Sequence, residues 1–170
     1  MVRFSLKKLL VLIGVIAIVI AYITALNQRA TKEHKAFDKL RKFGVYKDDW
    51  VNFQELLTGK TAIHDLYVPK NAPAEIVFEQ LPNFVNLRNL SIEGDKFTKS
   101  QIKLMRNLNL TGLDFEGKFP SDEDVSLLYQ LTNLRYLSLR GDHLSNESKR
   151  MLTAALPSTN IEFQPVQSKN

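Results

Sequence analysis

The chain has no cysteine at any of its 170 positions, and that absence removes three classes of chemistry. It can form no disulfide framework, no thiolate metal site and no cysteine nucleophile. It leaves the compartment open, because cysteine-free domains occur on both sides of a bacterial membrane. Histidine is also scarce: His34, His64 and His143 are the only three, one expected beside an apolar segment, one at a strand edge and one in a distant turn. They form no constellation. There is no H-x-x-x-H pair, no glycine-rich phosphate loop and no serine in an elbow of glycines. The acidic trio Asp122, Glu123 and Asp124 follows Ser121, in the expected first turn of a helix, where negative charge complements the helix dipole. The expectation is a protein that is not an enzyme, with no catalytic, cofactor-binding or metal residues and no small-molecule substrate in evidence.

A basic stripe on the folded part is missing too. The chain is formally +5, but residues 1 to 43 carry nine Lys or Arg against two acids, 9 − 2 = +7, and residues 44 to 170 carry fourteen against sixteen, 14 − 16 = −2. The positive excess flanks an apolar run and the remainder is mildly acidic. Nucleic-acid binding, which needs a positive surface on the domain itself, is not expected.

What is present begins with that apolar run. Leu9 to Leu26, "LLVLIGVIAIVIAYITAL", has no charge over eighteen residues, with Arg3, Lys7 and Lys8 before it and Arg29 and Lys32 after it. As a helix it covers roughly 27 Å, near the roughly 30 Å thickness of a hydrocarbon core. Ile23-Thr24-Ala25 makes a poor signal-peptidase site. Residues 1–26 are therefore expected to be an uncleaved single-pass anchor, in a bacterial inner membrane. Three basic residues precede the span and six follow it by Lys42, which on the positive-inside count puts the domain in the cytoplasm. A short N-terminus ahead of a signal anchor argues the reverse, so the side stays open. The start also resembles the type IV pilin leader, but Arg3 stands where a glycine should precede Phe4 and Lys8 where an acid should lie. Residues 27–44 keep a helical period through Ala36, Phe37, Leu40 and Phe43, with Gly44 as the stop. That stretch is expected to be a juxtamembrane continuation of the anchor into solvent.

Beyond it the chain repeats. Ile63, Leu66 and Val68 recur as Leu87, Leu90 and Ile92, then as Leu110, Leu113 and Phe115, then as Leu134, Leu137 and Leu139, with Ile161 and Phe163 as a partial fifth copy. A second register runs beside the first: Leu81, Met105, Leu128 and Leu152, accompanied by Phe84, Leu108, Leu131 and Ala155. A short strand turning its apolar pair inward, with a helical return on the outside, cannot bury its face alone, and stacking copies closes the core. Thr98 or Ser100, Ser121 and Ser145 stand where the returns would be capped. In L-x-x-L-x-L spacing and unit length the sequence from Val45 to Phe163 resembles the leucine-rich repeat family, and within it short membrane-anchored bacterial members. The resemblance implies an α/β solenoid, a short parallel β-sheet with helices on the convex side, over residues 45–164. Residues 45–60 form its N-terminal cap, a strand near Val45 and Tyr46 and a helix burying Trp50, Phe53, Leu56 and Leu57, and 165–170 form a polar tail. It also implies that Asn71, Asp95 and Asp142 bond backbone groups in the turns after the strands. Arg140-Gly141-Asp142 is thus read as such a turn and not as an adhesion tripeptide.

The residues flanking each inward pair form a concave face, and there the candidate partner-binding residues are Tyr67, Arg88, Glu93, Gly112, Asp114, Glu116, Arg135, Tyr136 and Arg140. Gly112 beside Tyr136 is expected to leave a notch. The function expected is a membrane-tethered module that binds a protein or peptide whose identity the sequence does not carry. The alternative is a structural envelope or pseudopilin-like subunit that assembles through its N-terminal helix.

Overall fold

The computed structural model describes residues 6–49, 62–94, 98–118, 121–141 and 144–165. It opens with one uninterrupted 36-residue helix, α1, Leu6–Arg41. Its apolar stretch is long and hydrophobic enough to cross a membrane, and none of it is buried; an anchor and a signal sequence both meet that description. The helix stops at Gly44, whose φ of 79° lies in the left-handed region that glycine reaches without a Cβ penalty. The amides of Phe43 and Gly44 close the last turn on the carbonyls of Leu40 and Arg41 at 2.9 and 3.0 Å.

A six-stranded sheet follows, its strands in sequence order. β1, Tyr46–Asp49, lies antiparallel to β2, Ile63–Val68. β3 (Asn89–Glu93), β4 (Gly112–Glu116), β5 (Tyr136–Arg140) and β6 (Asn160–Gln164) then add one after another in parallel. Parallel neighbours need crossover returns. These are α2, Ala74–Gln80, running into a 3-10 turn at Leu81–Asn83; α3, Lys99–Met105; a 3-10 segment, Val125–Gln130; and α4, Asn146–Ala155. The pairing follows the sequence period: Leu66, Leu90, Leu113, Leu137 and Ile161 stand abreast, and so do Val68, Ile92, Phe115, Leu139 and Phe163. Opposite them Leu81, Met105, Leu128 and Leu152 are completely buried. Each such side chain contributes roughly 1.5–3 kcal/mol on burial. At the far end Ile161 and Phe163 are only partly buried, because β6 has no strand beyond it among the described residues.

The capping residues act where the sequence placed two of them. Thr98 and Gln101 form a reciprocal capping box at α3, and Ser145 accepts from the Ser148 amide at α4. The third return differs from expectation, since Ser121 opens turns and a 3-10 segment in place of an α-helix and its hydroxyl bonds Asp124 at 2.7 Å. The first of the turns after the strands also differs. Asn71 is exposed, so it supplies no inward amide, while Asp95 and Asp142 lie outside the described residues. Backbone bonds from glycines hold the turns together: the amides of Gly94, Gly117 and Gly141 donate to the carbonyls of Glu116, Arg140 and Gln164 at 2.8 to 2.9 Å. Trp50, Phe53, Leu56 and Leu57 of the expected cap lie outside the described residues as well.

The end of the stack that precedes β2 is covered by α1 itself. Ala30, Glu33, Ala36 and Leu40 make one buried stripe on that helix, and Ala36 and Leu40 share the core of the strands. The stretch expected to run free in solvent is thus part of the packed domain. Glu33 is its one charged member. Its carboxylate accepts from Asn86 Nδ2 at 2.9 Å and from the Ile63 amide at 3.5 Å, and burial outweighs these bonds, so its pKa is raised above the ordinary value.

Leu113→Asp places a charge between two stacked leucines and should cost at least several kcal/mol; loss of the cooperative thermal transition followed by circular dichroism checks this, and a melt equal to wild type would reject the register. Glu33 gives a pH signature. With its folded pKa above the unfolded one, the native state binds the proton first as pH falls, so the charge is a burden that lightens from neutral pH down to about 4.5, the unfolded value. The melting temperature of Glu33→Gln minus that of wild type should therefore shrink as pH is lowered from 7 to about 4.5. A difference independent of pH would mean the carboxylate is fully solvated in the fold.

Candidate binding face

Because side chains alternate along a strand, the register that stacks the leucines also lines up what faces the other way. Asp65, Asn89, Gly112, Tyr136 and Asn160 form one row, Tyr67, Ser91, Asp114, Ser138 and Glu162 the next, and Glu93, Glu116, Arg140 and Gln164 the third. Members of the first two rows, with Arg140 of the third, floor a cavity of about 490 Å³ that opens between Tyr46 and Tyr67 at one side and Tyr136 and Arg140 at the other.

Diagonal bonds tie the rows together. Tyr67 donates its hydroxyl to Glu93, and its ring stacks on Tyr46 with centroids 4.4 Å apart. Burial, then the bond to Glu93, pushes the Tyr67 hydroxyl well above the usual tyrosine range. Tyr136 donates to Glu162 at 3.1 Å, and burial raises its pKa too, with Glu162 adding to the shift. Arg140 makes two bonds to Asp114 and one to Glu116 at 3.4 Å. The bond to Asp114 holds the guanidinium above its ordinary pKa. The Tyr136 and Arg140 diagonals cross the row on either side of Ser138, which accounts for its burial on an otherwise open sheet face.

Of the residues expected here, Tyr67, Glu93, Asp114, Glu116, Tyr136 and Arg140 do share this surface. Gly112 also lines the cavity, but the space its missing side chain leaves is not open. The glycine is buried, and a Cβ built on it would lie 2.4 Å from Oδ1 of Asn89, whose amide bonds Asp65. A neighbouring side chain fills the space that glycine vacates. Arg88 and Arg135 are displaced from the face, since each precedes its strand and lies in the loops at the strand starts, where Arg88 donates to the Asn109 carbonyl at 3.1 Å. Tyr46 is the residue that the repeat pattern missed. It reaches the face on β1, the antiparallel strand, which has no counterpart in the period.

Two members of the acidic trio, Asp122 and Asp124, have structural partners. Asp122 accepts from the amide and hydroxyl of Ser145 in the next unit, at 2.9 and 3.1 Å, and hydrogen bonds from Ser148 and Ser145 hold its pKa below the ordinary value. Asp124 meets Lys99 of the preceding unit at 3.6 Å. No cluster of three metal-ligating side chains occurs among the described residues. No protein-family model matches the chain, and no curated protein matches it significantly.

Two glycines should respond to a different extent. At Gly112 the closest atom to an added methyl is the movable Oδ1 end of the Asn89 side chain, so Gly112→Ala should cost no more than about 1 kcal/mol. At Gly141, φ is 77° and the methyl would lie 2.9 Å from the backbone oxygen of Gly117, so Gly141→Ala should cost about 1–3 kcal/mol. Chemical denaturation of both variants checks the pair; equal losses would contradict the geometry.

Proposed function

We propose that this chain is a tethered binding module of the leucine-rich repeat class, without catalysis, whose concave sheet face holds an extended, positively charged segment of a partner protein. Support for the class is the period of 23 or 24 residues, which reappears as sequential parallel strands with helical or 3-10 returns on the opposite side. Support for the tether is α1, apolar at one end and docked on the domain at the other.

The observation that carries the choice of partner is the charge of the face. Five carboxylates, Asp65, Glu93, Asp114, Glu116 and Glu162, stand in the three rows against a single cation, Arg140. That cation lies between Asp114 and Glu116, so this pair of carboxylates already accommodates a guanidinium. The stacked tyrosines at the cavity edge offer flat apolar walls to the stem of a Lys or Arg side chain.

Binding of an extended peptide of alternating Lys and Thr to the full-length chain in detergent, read by fluorescence anisotropy at low salt, tests this. Asp114→Asn with Glu116→Gln should weaken binding about tenfold, two exposed charge pairs at up to about 1 kcal/mol each. Arg140→Gln should tighten it, because the competing internal cation is gone. Lys103→Gln on the outer side should change nothing. Weakening by Lys103→Gln with an unchanged Asp114/Glu116 variant would move the interface to the helical side. Ordered assemblies that require residues 6–26 and bind no peptide would favour the structural-subunit alternative.

A further inference from the structure

The path of α1 along the domain fixes which end of the sheet lies nearest its apolar segment. Glu33 touches the start of β2 at Ile63 and the loop before β3 at Asn86. Eleven residues later Gly44 sits beside Pro69, just past the end of β2. The eight helical steps from Glu33 to Arg41 advance about 12 Å before the turn that ends at Gly44, and six strand residues advance about 20 Å, so helix and strand run side by side in the same direction. Followed backward, α1 leaves the domain at the strand-start end, and Leu26 lies about 10 Å beyond Glu33.

The loops at that end have an unusual charge. From Leu81 to Arg88, Leu104 to Thr111, Ser126 to Arg135 and Met151 to Thr159 there is no Asp or Glu, while Arg88, Arg106 and Arg135 are all exposed. Arg88 donates to the Asn109 carbonyl and Arg106 to Gln130 at 3.2 Å. Among the described residues no carboxylate forms an ion pair with any of the three. The same rim exposes Val85 to 56% and Leu104 to 39%. The opposite end carries Asp122, Glu123 and Asp124. Asp49 and Asp65 also stand toward the strand starts, and Lys70, Lys99 and Lys118 toward the other end, but the strand-start loops themselves carry only arginine as charge, on the side from which the apolar helix emerges.

We propose that this arginine rim docks on the anionic headgroups of the bilayer that α1 enters. The inference rests on the tether reading given above. It gives the three arginines a counter-charge that no carboxylate among the described residues supplies, at a distance of about one Debye length from the end of the apolar run. It also stands the strands roughly upright on the surface, with the acidic face turned sideways and open.

The absence of cysteine makes single-site labelling direct. Asn107→Cys in a strand-start loop and Lys118→Cys at the opposite end, each carrying a fluorophore on the full-length chain, are reconstituted into vesicles containing a headgroup-attached quencher. The vesicles are either phosphatidylcholine alone or phosphatidylcholine with 30% phosphatidylglycerol, a fraction chosen on the order of natural anionic content. Quenching at residue 107 should be at least about twofold stronger in the anionic vesicles and should return to the zwitterionic level in Arg88→Gln/Arg106→Gln/Arg135→Gln or in high salt, while residue 118 stays unquenched. Equal quenching at 107 in both lipids, or quenching at 118, in chains that float with the vesicles overturns the rim proposal and leaves the tether standing. Chains that float with neither vesicle overturn both.

Discussion

No strand of this sheet can bury its own leucines; each does so only because the next strand lies beside it at the same height. That constraint sets the rest. Leu90 is covered because Leu66 and Leu113 flank it and Phe84 and Met105 close the outer side. A shift of one residue in any strand would turn its apolar pair out and its polar row in. The unit length of 23 or 24 residues is therefore enforced by packing, and the glycine amide bonds from Gly94, Gly117 and Gly141 hold successive turns at the spacing the leucines require.

Such a stack always has two ends with nothing of their own kind to pack against. At the β6 end Ile161 and Phe163 stay partly exposed, shielded in part by Lys149, whose ammonium lies 5.3 Å from the Phe163 ring. The other end is closed by α1, and the apolar helix and the domain thereby become one mechanical piece. The small residues Ala30 and Ala36 bring the helix close, Leu40 enters the core, and Glu33 satisfies Asn86 and the first amide of β2. A buried carboxylate is a costly choice for this contact. Its hydrogen bonds are directional where the alanines are not, and they fix the rotation of α1 about its own axis.

The repeating part of this architecture was legible in the sequence because a period of two within a strand and of 24 between strands leaves a double imprint, inward at Leu113 and Leu137 and outward at Met105 and Leu128. The three rows of the open sheet face follow from the same imprint. The contribution of α1 was not legible, since Ala30, Glu33, Ala36 and Leu40 read equally well as a helix in water, and nothing local names the surface that covers them. Tyr46 escaped for a related reason: an antiparallel strand has no echo 24 residues on. The notch at Gly112 failed because an absent side chain is an invitation to its neighbour, and Asn89 took it.

Between the apolar segment and the first break in the chain at Gly44 there is no flexible joint. On the tether reading proposed above, a loose linker would let the domain tumble, and an arginine rim at one end of the strands would then bring no advantage. Here α1 stays helical past its last apolar residue and remains pinned by Glu33 and Leu40, so the direction of the helix dictates the direction of every strand. Under that coupling the end of the sheet with Arg88, Arg106 and Arg135 and the face with Asp114 and Glu116 cannot exchange places. Undocking α1 is the one motion that would release the domain, and its cost is set by a handful of side chains on a single helical stripe.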